Sequence, residues 1–171
     1  MLVAFASRHG STEEIAAEIG AVIRRSGFTV EVRAVDTVTS VRGFDAVVVG
    51  SAVYHGAWQP SAVDFATRHA AALQPVPVWI FSSGPLGPVE GDLLDQPDEL
   101  GRLEALLVPE GHRVLAGRLD TTLLDFGERM SMLAAGRESG DHRDWDEIRT
   151  FGREIAFVLG GGRAARVHWT R

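Results

Sequence analysis

The chain has no cysteine and no lysine. The first absence excludes disulfides, thiolate metal ligation and thiol redox chemistry, so a redox role must rest on a bound cofactor. The second leaves all 17 basic residues as arginine, a compositional bias with no chemistry attached. No apolar run reaches the roughly 18 residues of a membrane span. The N-terminus also lacks a basic segment followed by a long apolar stretch and a small-residue cleavage site. A cytoplasmic protein is expected, with peripheral membrane contact at most. Excess positive charge is missing too: the net charge is −6. Nucleic acid is therefore not expected as a partner, because phosphate backbones are bound by clustered cations. Asp45, Asp64 and His69 have no metal-ligand spacing, and no metal is expected. No G-x-S-x-G or Walker pattern occurs.

What remains is ordinary for one globular domain: 171 residues, 45% hydrophobic and 23% charged, enough to bury a real core. Its most informative stretch is the first 16 residues, MLVAFASRHGSTEEIA. The apolar run 2–6 stops at Ser7-Arg8-His9-Gly10-Ser11-Thr12, and a helical pattern starts at once. A strand, a tight hydroxyl-rich loop and a helix N-terminus follow one another. Such a turn offers free backbone N–H groups and a positive dipole end, which suit a phosphate. The hydroxyls of Ser7, Ser11 and Thr12 add donors, and Gly10 admits a conformation that a Cβ would hinder. The plainer reading is a strand-to-helix turn capped by Ser11 or Thr12.

The remaining chain alternates strand and helix. Residues 11–26 read as an amphipathic helix ended by Gly27. Residues 28–35 alternate apolar and polar, as in an edge strand. Residues 45–50 and 77–81 are continuous apolar strands covered on both faces. Helices are expected over 60–71 and 97–107, and residues 86–96 as a loop. A fifth strand is expected over 113–119, a mixed helical stretch over 121–134, a polar loop over 136–143 and a final helix over 144–159. Strands joined by helical crossovers imply a parallel sheet with helices on both faces, a three-layer α/β sandwich. Ligands bind such sheets at the carboxyl ends of the strands. The loops 7–12, 51–59 and 82–87 should meet there.

The second loop, Ser51-Ala52-Val53-Tyr54-His55-Gly56-Ala57-Trp58, places aromatics directly after a buried strand. They could stack on a flat conjugated ligand, or Tyr54 and Trp58 could simply pack on the next helix. His55 alone says little. Gly56 can flip its peptide with little strain. The third loop, Ser82-Ser83-Gly84-Pro85-Leu86, is small enough for a planar group to approach its backbone. It also reads as an ordinary Gly/Pro turn.

SRHGST at the first strand end resembles the flavodoxin phosphate loop. More narrowly, FASRHGSTEEIA, DAVVVGSAVYHGAWQPSAVDFATRHAAAL, VLAGRL and DWDEIRTFGREIAFVL resemble the flavodoxin-like menaquinone-dependent protoporphyrinogen dehydrogenases, over roughly residues 1–160. The resemblance implies strand order 2-1-3-4-5 in a five-stranded sheet. It also implies a non-covalent FMN held by residues 1–160, while GGRAARVHWTR, residues 161–171, reads by its composition as a loose, flexible tail. The phosphate would sit on Ser7, Arg8, His9, Gly10, Ser11 and Thr12. The isoalloxazine would lie between Ser51, Ala52, Val53, Tyr54, His55, Gly56 and Trp58 on one side and Ser82, Ser83, Gly84, Pro85 and Leu86 on the other. Chemistry would occur at flavin N5 with no catalytic side chain. Reducing equivalents would pass from a porphyrinogen to a quinone. The chain departs from that family at 88–100, which is short and acidic, and at 121–135, which lacks basic-aromatic character. The alternatives are a flavodoxin-type electron carrier with a redox-protein partner, and an interaction domain that has lost FMN.

Overall fold

The computed structural model describes residues 1–54, 57–84, 98–134, 136 and 138–162. The central sheet runs β1 (Leu2–Ala6), β2 (Glu31–Ala34), β3 (Val47–Tyr54), β5 (Val78–Gly84) and β6 (Gly111–Ala116), with order β2-β1-β3-β5-β6. Every pairing along this path is parallel. The order is the one expected once the short β4 (Ala57–Trp58), antiparallel to β3, is set aside. The helices α1 (Ser11–Arg25), α2 (Pro60–Leu73), α3 (Asp98–Leu107), α4 (Phe126–Ala134) and α5 (Trp145–Leu159) follow in chain order.

The central strands β1, β3 and β5 are apolar on both faces because both faces are covered. One core holds Leu2, Val49, Ile80, Phe65, Leu103 and Leu107, beneath α2 and α3. The other holds Val3, Val48, Ile15, Ile19, Ile148 and Ile155, beneath α1 and α5. Each fully buried Ile or Leu contributes about 1.5–3 kcal/mol of transfer free energy. The sheet is tightest where Gly50 neighbours Phe81. A Cβ at residue 50 would fall 2.0 Å from the Phe81 ring, so the large ring requires the missing side chain.

Helix ends follow local chemistry. α1 carries Glu13 and Glu14 in its first turn and Arg24 and Arg25 in its last, both favourable to its dipole. Pro60 opens α2, where its missing N–H costs nothing. Asp144 caps α5, its carboxylate accepting from the N–H groups of Asp146 and Glu147.

Several boundaries differ from the sequence expectation. Only Glu31–Ala34 of the stretch 28–35 is strand, because its one partner begins with Leu2 in register with Glu31. β3 continues to Tyr54, where Val53 and Tyr54 pair with Trp58 and Ala57. Ser82, Ser83 and Gly84, expected as loop, remain strand. Ser82 and Ser83 are paired on both sides, and Gly84 is paired with Ala116 of β6. The expected fifth strand breaks at Gly117. Its end, β7 (Arg118–Leu119), leaves the sheet to pair antiparallel with β8 (Gly140–Asp141), inside a stretch expected as loop. The helix expected over 121–134 occupies only Phe126–Ala134.

Candidate functional site

The carboxyl ends of β1, β3, β5 and β6 lie at one edge of the sheet, and the loop 7–12 meets Tyr54 there. α1 is capped by Gly10, not by Ser11 or Thr12. Gly10 is left-handed (φ 83°), and no side chain caps the helix. The first-turn N–H groups of α1 therefore have no side-chain acceptor of their own. A Cβ on Gly10 would meet nothing within 4 Å, so the backbone conformation, not crowding, calls for glycine.

Ser11 does not cap because its Oγ accepts the backbone N–H of Arg118 at 2.9 Å. A serine hydroxyl that accepts one bond still has its own proton to donate. Thr12 is buried in the same turn, and Ser7 is half-buried. Around this turn stand opposed charges. Arg8 pairs with Asp125 at 3.5 Å. Arg118 reaches Glu14 at 3.3 Å, and Arg143 reaches Glu14 at 2.6 Å and Asp141 at 2.6 Å. The Arg143 side chain is only 3% exposed, and its guanidinium lies 4.5 Å from the Trp145 ring centroid. Asp120 titrates below the ordinary aspartate value. The Thr122 hydroxyl is the main cause, aided by the Thr122 backbone N–H, Arg118 and His9.

Tyr54, at the end of β3, is brought to this loop. The His9 ring meets it edge-on at 6.0 Å, and the Arg8 guanidinium lies 5.9 Å from its centroid. The structure thus joins residues 7–12 to the second predicted loop. Ala52 is buried, and Val53 is half-buried against the α2-side core. His55, Gly56, Pro85 and Leu86 lie outside the described residues, as do the loop 86–96 and the tail from 163.

Three predicted site residues use their polar groups inside the protein. Ser51 Oγ accepts the Gln59 N–H at 2.9 Å and donates to the Ala52 carbonyl at 2.9 Å, stitching the β3–β4 hairpin. Trp58 is a core residue, 4% exposed, and its indole N–H donates to Ser82 Oγ at 2.8 Å. Ser82 Oγ lies 3.0 Å from His112 Nε2, and His112 Nδ1 lies 3.0 Å from Glu104 Oε1. Burial pushes His112 below the ordinary histidine value more strongly than Glu104 pulls it up. A serine–histidine–carboxylate order is that of an activated nucleophile. Here the serine is buried within a strand and receives an indole N–H, so no substrate carbonyl can reach it. At the third predicted segment the Gly117 N–H donates to the Gly84 carbonyl at 2.7 Å, closing β5 against β6.

His112, Glu104, Arg118 and Arg143 were not singled out by sequence. The signal for His112 was a histidine just ahead of the expected fifth strand, in a strand that is mostly half-buried. Its partner Ser82 is 30 positions away, so only strand register reveals the pair. Among the described residues no group of three or more metal-ligating side chains occurs. No described helix is long and apolar enough to cross a membrane.

The flavodoxin domain family matches residues 2–146. The protoporphyrinogen IX dehydrogenase [quinone] of Escherichia coli K12 is 23% identical, over 92% of this chain and 94% of its own. Among solved structures, a flavodoxin from the domain Archaea superposes with a TM-score of 0.62 at 18% identity, covering 93% of this chain and 97% of that one. The rubredoxin oxygen:oxidoreductase of Desulfovibrio gigas superposes with a TM-score of 0.63 at 16% identity. It covers 96% of this chain, which spans 37% of that larger protein.

Proposed function

The chain belongs to the flavodoxin domain family, and from that premise we propose that it holds one FMN and exchanges reducing equivalents through it. The observation that carries this reading is the N-terminus of α1. Its first turn has no side-chain cap, and the adjoining Ser11 hydroxyl is positioned by Arg118 with its proton available. This donor set fits a phosphate. The turn Ser7 to Thr12 would hold the phosphate, and Tyr54 would face the isoalloxazine beside it. Backbone at 51–56 and 82–86 would flank the ring, with residues 1–160 as the binding unit. When bound, FMN supplies one- and two-electron chemistry at its ring. The protein's own groups bind and orient it, and no side chain need move a proton to substrate.

The first reading of the activity is transfer from a porphyrinogen to a quinone in the cytoplasm. It is supported by the likeness to the Escherichia coli dehydrogenase, which extends over 92% of the chain. The second is an electron carrier that meets a basic redox protein. It is supported by the net charge of −6, which would steer such a partner. The FMN-loaded protein, incubated with protoporphyrinogen and a menaquinone analogue, distinguishes them. Porphyrin formation that depends on quinone supports the dehydrogenase. No porphyrin, with rapid electron exchange with redox proteins, supports the carrier.

A further inference from the structure

The hydrogen-bond chain from Trp58 through Ser82 and His112 to Glu104 joins β4, β5, β6 and α3. Its polarity follows from donor chemistry. The indole N–H can only donate, and an ionised carboxylate can only accept. With His112 neutral, Nδ1–H donates to Glu104, Nε2 accepts the Ser82 hydroxyl, and the Ser82 oxygen accepts from Trp58. Every proton is then used once. An imidazolium donates from both nitrogens. Its Nε2–H would take the second lone pair of the Ser82 oxygen beside Trp58. The Ser82 proton, until then given to Nε2, would lose its acceptor in a buried strand, which is costly and forces the hydroxyl to reorient under the indole N–H.

We propose that His112 is a positioning residue: its neutral ring latches the β3–β4 hairpin onto β5 through Ser82 and Trp58, and protonation releases that latch. The hairpin is the segment that carries Tyr54, and Trp58 pairs directly with Val53. The latch therefore bears on the ring side of the proposed FMN site, a consequence that rests on the proposed function.

Among the described residues, the charges around His112 leave it one titratable partner. On α3 that partner is Glu104, whose side chain is 34% exposed against 12% for His112, so protons reach the ring from that end. Arg102 on α3 is exposed. On β6, Arg113 pairs with Glu147 and Glu154 of α5, on the opposite side of the sheet. On α2, Asp64 and Arg68 are exposed, and His69 turns to the Val38 backbone. β5 and β4 present only Ser82 and Trp58. Burial holds the ring neutral against Glu104, so the latch is closed near neutrality and opens on acidification.

The test follows the His112 ring and the Trp58 indole N–H by NMR in the flavin-free full chain, from about pH 8 to about pH 5, the range in which histidines titrate. The Trp58 signal should shift with the midpoint of His112. In His112→Gln, which keeps a neutral acceptor and a neutral donor, it should stay fixed. In Glu104→Gln the midpoint should move down, because the anion that favours the imidazolium is gone. A Trp58 signal that stays flat through the His112 titration, or that moves equally in His112→Gln, overturns the latch; the wild-type titration decides this without any variant. FMN and riboflavin affinities, measured over the same range, should both weaken about tenfold below the His112 midpoint, the weight of one hydrogen bond. They should hold constant in His112→Gln. A titrating Trp58 with constant flavin affinity overturns the link to the site but not the latch. Failure to bind FMN at any pH overturns the proposed function instead.

Discussion

The backbone N–H of Arg118 donates to the Ser11 hydroxyl at 2.9 Å, tying residues 107 positions apart. One hydroxyl thus anchors the β7–β8 ribbon to the helix end that the proposed phosphate needs. Ser11→Ala should lower FMN affinity by about 1–3 kcal/mol and also cost about 1 kcal/mol of stability. Riboflavin affinity should fall far less. Fluorescence titration and urea unfolding measure the two effects separately.

Arg143 spans Asp141 and Glu14 from a side chain that is almost wholly buried. Arg143→Met keeps the stem and removes the charge-assisted bonds. It should cost about 2 kcal/mol in urea unfolding and weaken FMN through looser placement of α1. Unchanged stability would show that the ribbon is not held through this side chain.

Gly50→Ala should destabilise the fold by about 1–3 kcal/mol, since the added carbon lands on the Phe81 ring. Phe81→Leu on its own should also destabilise. In the double variant the two losses should sum to more than the measured cost, because the smaller side chain frees the space. Additive losses would place the strain elsewhere.

These local dependencies show what the sequence could and could not reveal. The apolar runs of β1, β3 and β5 and the periodicity of α1 and α5 were legible, because each element buries enough surface to impose its pattern. So was the turn from Ser7 to Thr12, through Gly10 and its hydroxyl neighbours. The two-residue strands β4, β7 and β8 were not, since a pair of residues has no periodicity. The break at Gly117 was hidden inside an apolar stretch. Trp58 reads from the sequence as a face stacked on the flavin, ahead of packing on the next helix; the structure makes it a core residue bonded to Ser82. The chain to His112 and Glu104 depends on β5–β6 register, which composition does not encode.

Burial lowers the pKa of both His69 and His112 from the ordinary 6.5. For His69, neighbouring Arg68 adds to the effect, and the Val38 carbonyl opposes it. His69 Nε2 is also buried with no hydrogen-bond partner among the described residues. Between the folded values and 6.5 the unfolded chain binds more protons, so stability is full above that range and is lost as pH falls through it. Urea midpoints should drop from about pH 7.5 to about pH 5.5, and less so in His69→Leu. A flat profile contradicts the burial argument.

The end of α1 is proposed to hold the phosphate of FMN. Fluorescence titration of the flavin-free protein with FMN and with riboflavin tests it most directly. Several charge-assisted hydrogen bonds of about 1.5–3 kcal/mol each depend on the phosphate, so FMN should bind at least about a hundredfold more tightly. Equal affinity for the two flavins would contradict the account.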